Sequence, residues 1–356
     1  NQLKDSIISR IKDHIKSTNP TKIDIIPSHI QEYADNSLDR WINSAIDAKF
    51  NYHEDEQYIV RINKDGEEVV QPVDYANTGI TLKNTIWQYG LHQFLQLKHN
   101  LHLTSESLTS CFISNLGYIN KYGDKIFGLT GTLGSEAEQE LLSSIYNVHY
   151  AKIPTYKEKK FIEIEGEVID DEIFSEEVVD NAISEVNNGR SSLIICETIK
   201  DAKAIQEILR RKNSDITIRT FFDEENSHIT EEEINPGEVV IATNIAGRGT
   251  DFKTSDELEK NGGLQVCVAF LPCNKRVEDQ AFGRTARQGN NGTAKLMIKK
   301  SEVEKLGISS NSLEEIKRVR DLKEQERIKQ IKEVKILELQ FQDRLFEHFS
   351  SLYRRL

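Results

Sequence analysis

Three short stretches hold residue types suited to gripping a phosphate. The first is Asn244-Ile245-Ala246-Gly247-Arg248-Gly249-Thr250-Asp251, which follows an apolar run ending at Thr243. Gly247 and Gly249 let a ligand approach the backbone. Successive N–H groups in such a turn favour an anion, Arg248 adds a positive fork, and Asp251 can accept from ribose hydroxyls. The second runs from Gln280 through Arg284 and Arg287 to Gly289. If helical, it puts Arg284 and Arg287 on one face, where two guanidiniums could steady charge on a transferring phosphoryl group as an arginine finger does. The third is Gly128-Leu129-Thr130-Gly131-Thr132, hydroxyls beside a flexible glycine that could sense a γ-phosphate or relay its loss. Taken singly, each has a plainer reading: a surface turn, two salt-bridged arginines, a loop. Gly-Arg-Gly after a strand, followed roughly thirty residues later by Q-x-x-G-R-x-x-R, is a much more specific combination.

These residues need elements to hold them. From Lys125 onward short apolar runs at 126–129, 148–153, 192–196, 216–221, 239–243, 264–271 and 294–298 read as strands, with helical stretches at 175–187 and 200–212. Strands separated by helices imply a mostly parallel sheet covered on both faces. Ser135 with Glu138 is a capping box that starts a helix just after Thr132. Upstream, Ile7, Ile8, Ile11 and Ile15 recur at helical spacing, residues 37–50 read as a helix, and residues 58–73 read as a hairpin turned by Asp65-Gly66. Residues 87–99 and 108–120 read as further helices. Residues 311–356 contain neither Gly nor Pro and read as one long helix, with Leu337, Phe341, Leu345, Phe349 and Leu352 as a stripe. Packing of that stripe within the chain is favoured over a free partner-binding face.

Composition limits the function. With 356 residues and a net charge of −12, the chain is long enough for two domains and offers no overall basic field for nucleic acid. No apolar run of about 18 or more residues occurs, and no secretory leader opens the sequence. The first residue is Asn1, so a processed product or a piece of something longer is expected. Cys111, Cys196, Cys267 and Cys273 lie at neither zinc nor C-x-x-C spacing and read as buried free thiols in a reducing compartment.

In combination and order, the three stretches resemble the second nucleotide-binding domain of SecA, the motor of bacterial protein export. Thr243 to Asp251 looks like that family's motif V, Gln280 to Gly289 like its motif VI, and Gly128 to Thr132 like the Thr-Gly-Thr motif at the join of its two motor halves. Gly262-Gly263-Leu264 and Ile153-Pro154-Thr155 also match. Thr78-Gly79 and Gly90-Leu91-His92-Gln93 resemble the stretch leaving the preprotein-crosslinking region. The resemblance implies an α/β, RecA-like parallel-sheet domain of the superfamily-two type (motor domain 2) over 125–308. It implies an α+β segment over 1–124 and a scaffold-like helix over 309–356. It implies catalytic roles for Arg284 and Arg287, ATP contacts for Gly247, Arg248, Gly249, Thr250, Asp251 and Gln280, and coupling through Thr130, Gly131 and Thr132. The implied cofactor is ATP, with Mg supplied at an upstream domain. The implied partners are an upstream first motor domain, an unfolded polypeptide and a membrane channel, in a protein that is cytoplasmic or peripheral to a membrane.

No G-x-x-x-x-G-K-[ST] occurs anywhere in the sequence. The phosphate-gripping half is therefore expected on other polypeptide, and hydrolysis by this chain alone is not expected. The sequence also departs from the family: Ile80 stands for an Arg, Phe282 for an Arg and Ala286 for a Gly. Two other readings stay open: a RecA-like binding or regulatory module without hydrolysis, and half of a nucleic-acid helicase, which the net charge disfavours.

Overall fold

The computed structural model of the chain describes residues 6, 9, 10, 13, 28–74, 81, 82, 85–106, 112–221, 233–243 and 252–353. The isoleucine repeat near the start, Thr78-Gly79 and Asn244 to Asp251 lie outside the described residues. Two compact units divide the chain, Asn1–Leu108 and Thr109–Leu356.

The first unit is built on a helix and a hairpin. α1 (Gln31–Ile46) runs on into a wider π turn at Asp47–Asn51. β1 (Tyr58–Ile62) pairs antiparallel with β2 (Glu68–Pro72), Val60 opposite Val70. The expected Asp-Gly turn is present: Gly66 has φ +83° and the Asn63 side chain accepts from the Asp65 and Glu67 amides at 2.8 and 2.9 Å. α2 (Leu91–Lys98) starts later than its apolar spacing implied, because Tyr89 and Gly90 both have positive φ and cannot be helical. Ala48, Tyr58, Val70, Leu91 and Leu95 form this unit's core.

The second unit is the expected α/β body. It opens with α3 (Asn115–Asn120) and α4 (Glu136–Tyr146). The sheet then comprises β3 (Lys160–Ile169), β4 (Ser191–Cys196), β5 (Thr217–Phe221), β6 (Glu238–Thr243), β7 (Leu264–Ala269) and β8 (Asn291–Lys299). Their order is β3-β8-β7-β4-β6-β5 and every pairing is parallel. The connecting helices are α5 (Phe174–Asn187), α6 (Ile199–Lys212), α7 (Asp256–Lys260), α8 (Lys275–Phe282) and α9 (Lys300–Lys305). β4, β6 and β7 are buried along their whole length, as central strands of a parallel sheet must be.

Alternation along each strand divides the core. Ile194, Cys196, Val239, Ile241 and Cys267 face Phe174, Val178 and Val179 of α5 and Ala202, Ile205 and Leu209 of α6. Leu193, Ile195, Val240, Ala242, Val266 and Leu296 face Ala281 and Phe282 of α8 and Ile316 of the long helix. That helix is α10 (Leu313–Gln330), a π stretch at Ile331–Lys335 and α11 (Ile336–Tyr353). Its far part is anchored by Asp343, which accepts from the Ser114 amide at 2.8 Å at the start of α3, with Phe112 and Phe346 in edge contact nearby.

Four expectations about elements are corrected. Residues 126–129 and 148–153 are not strands. Among the described residues no strand edge pairs with them, and Phe127, Leu129 and Ile153 stand in solvent at 93, 97 and 81% exposure. β3, unforeseen because Glu alternates with its apolar residues, is the edge strand beside β8. Of 108–120 only Asn115–Asn120 is helical among the described residues, since Ser114 is extended and caps the helix by accepting from the Gly117 amide at 2.9 Å. The stripe on α11 is exposed, from 49% at Leu352 to 67% at Phe341.

Candidate functional site

α8 is the element that organises the site. Asn274 caps it, accepting from the Val277 amide at 3.0 Å, and the helix ends at Phe282 with Gly283 as its cap. Arg284 and Arg287 therefore do not share a helical face. They sit in the turn that follows, where Ala286 and Gln288 take φ of +52° and +55°. The shared face expected of them fails because the helix ends at Phe282 and Ala286, which lies between them, is left-handed and cannot continue it.

The turn places the two arginines differently. Arg284 is buried and lines a hollow with Leu193 and Ile195 of β4, Ala242 and Thr243 of β6, and Phe252, Gln280 and Ala281. The hollow lies at the carboxyl ends of β4 and β6, the edge at which open parallel sheets take ligands. Arg287 is half-buried and its Nε donates to the Gly283 carbonyl at 2.6 Å.

The Thr-Gly-Thr stretch meets this helix. Gln280 Nε2 donates to Thr132 Oγ1 at 3.1 Å across 148 residues of sequence. Thr132 is itself turned by Thr130, whose Oγ1 accepts from the Thr132 amide at 3.1 Å and donates to its carbonyl at 3.0 Å. Gly131 between them is exposed. The expected capping box is also present, and Glu138 does a second job: Oε2 accepts from the Ser135 amide at 2.7 Å while Oε1 pairs with Arg276 Nε of α8 at 3.0 Å. Arg276 and Gln280 are one turn apart, so one face of α8 holds the Thr-Gly-Thr stretch and the start of α4 together.

Thus Arg284, Gln280 and Thr243 line one hollow, and Gln280 links it to Thr132. Gly247, Arg248, Gly249, Thr250 and Asp251 lie outside the described residues, though the strand that delivers them ends at Thr243 in the hollow. The sequence reading missed Arg276, Phe252 and the β4 wall. Only Arg276 had a signal, one turn before Gln280. A buried guanidinium that shares a hollow with a threonine suits a phosphate oxygen. Among the described residues no group of three or more His, Cys, Asp or Glu could hold a metal ion. Cys196 and Cys267 are buried and free, and burial pushes the Cys267 thiol up to about 12, whereas Cys273 is free but exposed.

Two family models match the chain: the SecA preprotein cross-linking domain over residues 2–96 and the SecA P-loop domain over residues 169–261. The chain is SecA-like. The protein translocase subunit SecA of Ureaplasma parvum serovar 3 is 32% identical over 263 residues, 72% of this chain and 30% of that protein. SecA of Clostridium tetani is 28% identical over 314 residues, 82% of this chain and 36% of that protein. The SecA-like chain thus spans about a third of the length of the curated relatives it matches. Its residues 169–261 match a model named for a P-loop yet hold no G-x-x-x-x-G-K-[ST]. A structure of Mss116p bound to ssRNA and AMP-PNP overlaps 51% of this chain and 40% of that one at 18% identity, with a TM-score of 0.33. The α/β assignment rests on the sheet order, not on that overlap. Among the described residues, no helix is long and apolar enough to cross a membrane.

Proposed function

We propose that this chain supplies the arginine-bearing half of an ATP cleft in a SecA-like motor that moves polypeptide. The phosphate-gripping loop and its Mg site belong to other polypeptide in this reading, as do the membrane channel and the unfolded substrate. Residues 125–308 act as the second nucleotide-binding domain, residues 1–124 as the end of the preprotein-crosslinking region and its return, and residues 309–356 as the start of the scaffold. The observation that carries the reading is the contact of Gln280 with Thr132 beside the buried Arg284.

ATP would supply a γ-phosphoryl whose charge grows in the transition state. Arg284, already buried in a hollow that excludes much of the water, offers that charge a fixed partner. Arg287 joins from the half-buried side of the turn. Gln280 ties the arginine turn to Thr132, so that a shift on either side is felt by the other. Gly247 to Asp251, entering from the end of β6, complete the wall in this proposal.

The test is ATP turnover by the full-length protein that contains this chain. Arg284→Ala is expected to lower kcat by about 10³-fold or more, the range for an arginine finger, with the fold retained by circular dichroism. Unchanged turnover would remove the finger role. Absence of turnover in the unsubstituted protein, with nucleotide still bound, would favour a regulatory module instead.

A further inference from the structure

α8 is held on a second face, and none of the contacts there belongs to the hollow. Glu278 is buried, its side chain 6% exposed. It pairs with Arg320 of α10, itself 4% exposed, and its other oxygen meets Lys317 Nζ at 2.8 Å. Lys317 reaches on to Glu163 of β3 at 2.7 Å. One turn earlier, Asn274 Nδ2 donates to Glu324 Oε1 of α10 at 3.1 Å, and Arg327 clasps the same carboxylate at 2.6 and 2.8 Å. Burial alone would raise the Glu278 carboxyl, but the hydrogen bonds and charges of Arg320 and Lys317 outweigh it and hold the group below the usual carboxylate range.

The spacing along α8 sorts these contacts by face. Arg276 and Gln280, four apart, hold Glu138 and Thr132. Val277 and Ala281, also four apart, are buried. Asn274 and Glu278, four apart again, hold α10. The buried Val277, Ala281 and Phe282 turn one side of this eight-residue helix to the core, but apolar contact is non-directional and fixes its rotation only coarsely. A buried charged pair with fixed geometry can set it, since breaking the pair leaves an uncompensated charge inside.

We propose that Glu278 and Arg320 are positioning residues: the long helix, through this pair, sets the rotation of α8 and so holds Gln280 on Thr132 and Arg284 in the hollow. This goes beyond the ATP reading and does not require it, because the contact being positioned lies within the chain. Displacement of α10 along or about its axis would then be transmitted to the Thr-Gly-Thr stretch.

Amide hydrogen exchange on the chain decides the matter. Glu278→Gln is expected to speed exchange about tenfold or more at Thr132, Gly283 and Arg284, while the β4 amides from Leu193 to Ile195 keep their wild-type rates. Gln280→Ala should reproduce the change at Thr132 with the Glu278–Arg320 pair intact. Asp279→Asn, on the exposed side of the same helix, should change nothing. If Glu278→Gln does not fold, Arg320→Lys, which keeps the charge and loses the fork, replaces it with the same expected pattern. Unchanged exchange at Thr132, or an equal rise at β4, overturns the proposal, the latter because it would mark loss of stability alone. In the full-length protein Glu278→Gln should lower kcat about tenfold with KM for nucleotide within about twofold. If Arg284→Ala leaves turnover untouched, the ATP reading falls and the exchange pattern still judges the positioning role.

Discussion

Tyr58 shows how much a single buried group can report. Its ring is fully buried, a hydrogen bond of 2.8 Å joins its hydroxyl to His99 Nε2, and burial first, then Glu54, push its pKa up to about 12. An unfolded tyrosine loses its proton near pH 10, at about its ordinary value. Tyr58 therefore contributes its full stability below about pH 10, and that contribution is lost as pH rises from there to about 12. Tyrosinate absorbance should show a late component near pH 12 that Tyr58→Phe removes, and the variant's unfolding free energy should fall less steeply over the same window. At the same scale, Arg284 and Arg287 illustrate a limit of local reading. They are three apart in sequence, yet the helix has ended and the left-handed Ala286 lies between them, so one lines the hollow and the other donates to its own backbone.

Elements differ in how far their apolar residues are used. Phe174 at the start of α5 is 1% exposed and packs against the sheet, whereas Phe341 on α11 is 67% exposed. Phe174→Ala is expected to cost about 3–5 kcal/mol, the range for truncating a core aromatic. Phe341→Ala should stay within about 0.5 kcal/mol, as surface changes do. Denaturant unfolding of the two variants side by side checks the contrast, and a large loss in Phe341→Ala would mean that the stripe is packed after all. The same comparison explains why apolar spacing on the terminal helix misled: a stripe of this kind is written identically whether its partner lies in the chain or outside it.

For the whole molecule, the division into Asn1–Leu108 and Thr109–Leu356 has a direct consequence. The sheet, its two apolar faces and the covering helices all lie within the second unit. Residues 109–356 produced alone should therefore unfold in one cooperative denaturant transition. A gradual, non-cooperative loss of signal would show that the first unit completes its core.

Much of this architecture was written locally. Val239 to Ala242 and Val266 to Ala269 are unbroken apolar runs, so they read as buried parallel strands before any neighbour is known. The Ser135–Glu138 box and the Asp65-Gly66 turn are closed within a few residues, so their chemistry is complete in the sequence. What tertiary structure alone decided is long-range. Gln280 finds Thr132 across 148 residues, Arg320 neutralises Glu278 across 42, and Asp343 holds the α3 cap residue Ser114 across 229. Each partner is an ordinary polar residue whose own neighbours carry no mark of the pairing, because the pairing depends on where the sheet places two distant helices. The apolar runs at 126–129 and 148–153 fail as strands for the converse reason: a strand needs a neighbouring edge, and only the folded sheet determines which runs obtain one.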